Sequence, residues 1–245
     1  MTDSTRTLKP QDLRFFLTAP HNCSYVAEQE ATTLFMDPEH AINKEVYSAL
    51  TLMGFRRSGQ HLYRPHCASC QGCVSVRVPV DEFSPNRTQR KIIGRNKDLT
   101  VQFREAKFTN EHYALYNQYI REKHFNGDMF PPSVEQYCSF LAREHTFSAF
   151  IEFRDQGVLV AVAAMDCLSH GLSAIYTFYT PDPAYAARSL GTYAILWQIH
   201  EAQRQGLPYV YLGYWIEQSR KMAYKKKFTP LEYLDGGRWR KLLET

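Results

Sequence analysis

Residues 148–216 follow an order of elements that few folds can accommodate. Residues 148–153 read as a strand, Gln156-Gly157 as a turn, and residues 158–166 and 173–179 as second and third strands. Pro181 and Pro183 break the chain, and residues 187–205 have the apolar spacing of a long helix that stops at Gly206. Residues 209–216 are then almost wholly apolar, as expected of a strand whose two faces are both covered. An antiparallel meander, a long helix and a parallel strand define an α/β layout.

The preceding half is more mixed. Asp37-Pro38 predicts a helix start, with Ile42, Val46, Ala49, Leu50 and Met53 on one face and Gly54 at its end. Val74-Ser75-Val76-Arg77-Val78 alternates as a strand does. Ser84-Pro85 opens a segment that, read as a helix, places Arg87, Lys91 and Arg95 on one face. Residues 100–104 suit a strand. Residues 110–124 and 133–145 suit helices, the second with Ser133 and Gln136 in capping-box spacing. The expected division is 1–104, an N-terminal α+β region with cysteines and a basic segment, and 105–245, the α/β unit.

A chain of 245 residues with 44% apolar and 22% charged residues can bury a sizeable core. The net charge of +4 does not by itself imply nucleic acid. Its distribution is more telling. Arg87, Arg90, Lys91, Arg95 and Lys97 stand in one acid-free stretch, and Arg220, Lys221, Lys225, Lys226 and Lys227 in another. Such stretches suit phosphate contacts, or simply a solvated basic face. The polar N-terminus lacks a signal-peptide core, and the longest apolar run, 158–165, is too short to cross a bilayer. The expectation is a cytoplasmic protein with reduced thiols and no membrane partner.

Cys67, Cys70 and Cys73 are spaced C-x-x-C-x-x-C, and Cys23 lies upstream in an Asn-Cys-Ser-Tyr turn. A turn of this spacing can aim three sulfurs at one point, and four thiolates suit zinc or an iron–sulfur cluster. Val76 and Arg77 occupy the place of a nearby fourth ligand, so that ligand must come from afar, with Cys23 the candidate. A reduced, metal-free thiol cluster is the alternative.

The strand–strand–helix–strand order resembles the core of the GCN5-related acyltransferases, and Arg188-Ser-Leu-Gly191-Thr resembles part of their phosphate-binding turn. Tyr193 stands where that turn needs a small residue, which argues against coenzyme A as the donor. A fuller resemblance covers residues 20–240. It rests on Cys23-Ser-Tyr, Tyr63-Arg-Pro-His-Cys-Ala-Ser-Cys, Phe83-Ser-Pro-Asn-Arg-Thr-Gln-Arg90, Arg95-Asn96, Ser189-Leu-Gly-Thr-Tyr193, Tyr211-Leu-Gly-Tyr-Trp-Ile216 and Lys221-Met-Ala-Tyr-Lys225. On these segments the chain is similar to the arginyl-tRNA–protein transferase family, in its bacterial aspartate/glutamate leucyltransferase form. The family often has Cys or Leu where Val26 stands. The resemblance implies transfer of leucine, or less readily arginine, from aminoacyl-tRNA to the N-terminal amine of proteins beginning with Asp or Glu. That addition marks them for degradation by the N-degron pathway. No cofactor is implied for the transfer itself.

Such a reaction needs positioning, loss of one proton and stabilisation of an oxyanion. The acceptor amine, with a reference pKa of about 7.7–8.0, needs no strong base. Strand backbone near Tyr176 to Tyr179 is the candidate oxyanion donor. Tyr176, Tyr179, Tyr193, Tyr211 and Tyr214 are candidates to move protons or stack on the terminal adenosine, or else to fill the core. Gly213, interrupting an apolar strand, suggests close approach to a ligand, and Gly191 and Arg188 suggest phosphate binding. Arg77, Arg90 and Arg95 are candidates to face the acceptor carboxylate, and Lys221 and Lys225 to Lys227 the tRNA acceptor stem. Two other functions stay open: an acetyl-CoA-dependent acetyltransferase, and a metal- or redox-sensing RNA-binding module.

Overall fold

The computed structural model describes residues 13–242. In chain order the elements are β1 (Phe15–Leu17), β2 (His21–Asn22), β3 (Glu30–Ala31), β4 (Thr33–Met36), α1 (Lys44–Leu52), β5 (Arg56–Ser58), β6 (His61–Pro65) and β7 (Val74–Pro79). There follow α2 (Arg87–Arg95), β8 (Thr100–Glu105), α3 (Asn110–Lys123), α4 (Val134–Phe140), β9 (Ser148–Asp155), β10 (Val158–Leu168) and β11 (Gly171–Tyr179). The chain ends with α5 (Leu190–Arg204), β12 (Tyr209–Trp215), β13 (Glu232–Asp235) and β14 (Arg238–Lys241).

An eight-stranded sheet runs in the order β14-β13-β7-β12-β11-β10-β9-β8, and a four-stranded sheet in the order β1-β4-β6-β5. β12 lies parallel to β11, as the crossover through α5 requires. β10 explains the longest apolar run. Val160, Ala161, Ala163 and Met165 pack in the core that includes α5, while Leu159, Val162 and Ala164 pack with α3 on the other face. A strand covered on both sides has no polar face to show. A third core joins α1 to the small sheet through Tyr47, Leu50, Phe55 and Leu62, and reaches Leu168 and Tyr211 of the large one.

The expected division at residue 104 needs correction, because β7 precedes it and β8 runs across it, and both belong to the large sheet. Three helix boundaries also differ. Asp37-Pro38 opens only a turn, since the buried Asp37 carboxylate is taken by the Glu39 N–H and by Arg14. α1 instead starts after Asn43, whose side chain accepts from the Val46 N–H at 2.8 Å. α4 stops at Phe140 although Ser133 caps its start as expected. α5 begins at Leu190, behind a 3-10 turn at Pro183–Arg188 and a left-handed Ser189 at φ +52°. α2 forms over the basic segment with a full capping box between Asn86 and Gln89. No helix among the described residues is long and apolar enough to cross a membrane.

Candidate active site

β11 and β12 run side by side only through Gly171–Tyr209, Leu172–Val210 and Ser173–Tyr211, and then part. Beyond that point β12 is laddered to β7 and β11 to β10, so the edges facing one another carry no mutual ladder. Arg56 of β5 fills the base of this wedge. Its Nη1 donates to Ser173 Oγ at 2.9 Å and to the Tyr211 carbonyl at 3.5 Å, and its Nη2 to the Ala174 carbonyl at 2.6 Å. Gly213 makes this possible. It sits at φ +81° in a bulge between Tyr211 and its partners on β7, and a Cβ there would lie 3.3 Å from Nε and Nη2 of Arg56. A side chain would be strained by that φ and would press on the guanidinium.

Lys225 is the second cation. Its Nζ donates to the Tyr214 carbonyl, one residue past Gly213 on β12. The ammonium is buried, and its pKa is lowered to about 7, first by burial and then by the Arg56 charge. Among the described residues neither cation is paired with an Asp or Glu; all their acceptors are neutral.

Aromatic groups surround the wedge. Tyr214 Oη lies 3.0 Å from the Gly54 and Tyr63 carbonyl oxygens, and its ring stands edge-on to Tyr63 at 6.0 Å. On the β11 side the Tyr176 hydroxyl is buried with no partner among the described residues, and burial, then Tyr116 and Tyr179, raises its pKa. Tyr179 packs on Tyr119 at 4.9 Å, and Tyr119 Oη lies 3.1 Å from His124 Nε2. The His124 pKa is lowered by burial and by Lys221. The first turn of α5 closes on Tyr179, where a Cβ on Gly191 would approach the ring to 3.1 Å.

The other expected residues take different places. Arg77 is a correction: it is buried, its Nε meets Glu232 at 2.7 Å, and its guanidinium lies over Tyr209 and Trp239. A guanidinium so matched is not free for an acceptor carboxylate. Tyr211 points into the α1 core, with Oη 2.9 Å from His170 Nδ1, and its pKa is pushed up to about 12 by burial. Tyr193 packs edge-on against Phe153 in the core below α5, where burial raises its pKa. Neither faces the wedge. Arg188 is held by Asp98 at 2.8 Å and donates to the Arg95 carbonyl, while Arg95 donates to that of Ala187; the pair fastens α2 to the turn before α5. Arg90 is exposed and donates to the Pro85 carbonyl at 2.5 Å. Lys221 is exposed, whereas Lys225 is buried and so is not on the surface expected to meet tRNA. Arg56, Tyr119 and His124 were not marked out by the sequence. Arg56-Arg57 between Phe55 and Ser58 was the available signal: two cations in a three-residue strand.

Cys23, Cys67, Cys70 and Cys73 line one cavity of about 530 Å³, with Tyr25, Tyr63 and Tyr214 on its walls. Burial, followed by the three neighbouring thiols, pushes the Cys73 thiol up to about 11. Yet among the described residues no three His, Cys, Asp or Glu side chains converge as a ligand set. Each of three sulfurs is engaged locally: Cys23 accepts from Tyr25 N, Cys70 accepts from Gly72 N, and Cys67 donates to the Thr32 carbonyl.

The parted strands thus hold two buried cations, Arg56 and Lys225, with Tyr214 on β12 and Tyr176 on β11 nearby. The family models for the N and C termini of arginine-tRNA-protein transferase match residues 21–91 and 111–235. A protein of Chromohalobacter salexigens named aspartate/glutamate leucyltransferase is 60% identical over 98% of both chains. One of the same name from Pseudomonas fluorescens is 55% identical over 93% of this chain and 96% of its own. The chain therefore belongs to the arginine-tRNA-protein transferase family. A C-terminal DUF2156 domain from Agrobacterium fabrum, at 15% identity, covers 69% of this chain and 58% of its own, with a TM-score of 0.47.

Proposed function

We propose that this chain is an aspartate/glutamate leucyltransferase, moving leucine from leucyl-tRNA to the N-terminal amine of proteins that begin with Asp or Glu. The observation that supports this most is the near-full-length identity of 60% to a relative of that name. The α-amine of the acceptor attacks the ester carbonyl of leucyl-tRNA. An amide bond forms, the ester C–O bond breaks, and the released ribose hydroxyl takes up the proton that the amine gives off. The wedge supplies positioning for this exchange, which needs no redox partner. In this reading the open edge of β11 near Tyr176 to Tyr179 faces the oxyanion, and the Tyr176 hydroxyl, which lacks a partner among the described residues, is a donor at hand.

The same reading gives residues 148–215 a GCN5-related acyltransferase-like core. It is supported by the order of β9, β10, β11, α5 and β12 and by the parting of β11 from β12. The exposed basic residues of α2, with Lys226 and Lys227, then serve the tRNA. We place the protein in the cytoplasm, with its aminoacyl-tRNA donor, and its product enters the N-degron pathway.

A metal at the cysteines is a separate proposal. Four thiols line one cavity, and although no three of them converge among the described residues, drawn together they would be a donor set for zinc or an iron–sulfur cluster. Cys23, Cys67, Cys70 and Cys73 would hold it, and a cation there would favour the Cys73 thiolate that burial and its neighbours now disfavour. Metal analysis of the purified protein and of Cys67→Ala checks this. Equal metal content and equal melting temperature in both would end the assignment.

Labelled leucyl-tRNA and arginyl-tRNA, offered separately with peptides beginning with Asp, Glu or Asn, test the main reading. Transfer of leucine to Asp and Glu but not Asn is expected. A folded protein that transfers neither amino acid would overturn it.

A further inference from the structure

We propose that Arg56 and Lys225 together form the receptor for the side-chain carboxylate of the acceptor's first residue, with Gly213 holding them around one point of the wedge. This inference rests on the leucyl-transfer reading and names the part of the site that selects the acceptor.

The argument begins with charge. Arg56 and Lys225 are 7% and 6% exposed, and among the described residues no carboxylate is paired with either. A buried ion without a counter-ion is costly, and two of like sign are worse. Most other buried charged groups in the chain are matched: Arg57 by Asp166, Arg77 by Glu232, and Glu152 by Arg154. Among the described residues the wedge is the exception, and a bound anion would supply what it lacks.

Free donors remain. An arginine has five N–H groups and a lysine ammonium three. The bonds of Arg56 use Nη1 and one side of Nη2, which leaves Nε and the other Nη2 hydrogen. These are the atoms packed closest over Gly213, where even a Cβ would lie 3.3 Å from each, so only a glycine lets the guanidinium sit there. Lys225 uses one donor, on the Tyr214 carbonyl. The two cations thus bracket Gly213 from the Tyr211 and Tyr214 carbonyls of one strand.

The enclosure favours a carboxylate over a tRNA phosphate. A nucleic-acid backbone is followed along open surface, where Arg87, Arg90 and Lys91 of α2 and Lys226 and Lys227 stand exposed. A side chain of one or two methylenes can reach into the wedge while its own α-amine stays at the mouth, where the acyl group is delivered. A fixed guanidinium with a flexible ammonium beside it suits both Asp and Glu.

The competing role is structural: both cations hydrogen-bond carbonyls freed where the strands part. Lys225→Met separates the two. With leucyl-tRNA as donor, kcat/KM is measured for peptides beginning with Asp, Glu, Asn and Gln. We expect the Asp-to-Asn and Glu-to-Gln ratios to fall by roughly tenfold to a hundredfold, the worth of one charge-assisted hydrogen bond. The melting temperature of the variant should be no lower than the parent's. In a second measurement, independent of turnover, an Asp peptide should raise the parent's melting temperature more than an Asn peptide does. That difference should vanish in Lys225→Met and in Arg56→Lys. Unchanged ratios, or an equal loss on all four peptides with a lower melting temperature, would overturn the proposal. Absence of transfer by the parent itself would instead overturn the leucyl-transfer reading.

Discussion

Arg56 and Arg57 are neighbours on β5, are buried to nearly the same degree, and do opposite things. Successive strand residues point to opposite faces. Arg57 goes toward β10, where Nε and Nη2 meet the two oxygens of Asp166 at 2.7 and 2.9 Å. Asp166 also takes the Ser148 hydroxyl at 2.6 Å, and the carboxylate holds the Arg57 proton on more firmly than usual, despite burial. Arg56 goes toward the parted strands and finds only a hydroxyl and carbonyls. A matched charge is used up in holding the sheets together. An unmatched one is destabilising until a ligand arrives, and that is what makes it available to a ligand.

The comparison breaks first at Asp166. Asp166→Ala leaves Arg57 buried and unpaired, and stability should fall by about 3–5 kcal/mol in urea denaturation. Loss of less than about 1 kcal/mol would mean that the two arginines are not as different as their partners suggest. At the other end, Lys225 sharpens it through pH. Its ammonium faces Arg56 of β5, the Tyr214 carbonyl of β12 and the Tyr224 ring of its own turn. Its pKa falls from 10.5 to about 7 on folding. Between those values the unfolded chain binds the proton and the folded chain does not, so this group's contribution to stability rises with pH across that window and is flat below it. The urea midpoint of the parent should therefore gain on Lys225→Met between pH 7 and 9. Parallel curves would show that Lys225 keeps an ordinary lysine pKa.

Gly213→Ala should have a smaller effect of the same kind. At φ +81° an alanine costs about 1–3 kcal/mol, and its Cβ presses on Arg56. Denaturation should show that loss together with a lower preference for Asp over Asn. Full stability with full preference would remove Gly213 from the site.

These residues mark where the sequence stopped being readable. The meander, the long helix and the apolar last strand were legible because periodicity reports burial directly. Gly213 was legible as a close approach, although the thing approaching it is Arg56 and not a ligand alone. Arg56 was missed and Arg77 misplaced for one reason. A basic residue in a long basic stretch, such as Arg90, looks available, while a short pair such as Arg56-Arg57 looks incidental. Which of them is buried, and beside what, depends on contacts from Ser173, Ala174 and Tyr211, more than a hundred residues away along the chain. Arg77 failed similarly, because its partner Glu232 lies on β13, beyond the reach of any local pattern.

The smallest effect, and the sharpest line between the two kinds of cation, concerns Arg90. It sits on the open face of α2, bonded among the described residues only to the Pro85 carbonyl, with Arg87 and Lys91 exposed beside it. Removing it exposes no core and leaves no partner stranded, so Arg90→Ala should melt with the parent. If α2 meets a tRNA phosphate through this residue, KM for leucyl-tRNA should rise a fewfold, and the slope of its logarithm against the logarithm of salt should shrink by about one. The Asp-to-Asn ratio should not move, because an exposed cation in water adds little to the choice between a charged and a neutral side chain. A fall in that ratio with the salt slope intact would return the acceptor carboxylate to α2, and would leave the buried pair at Gly213 without a ligand.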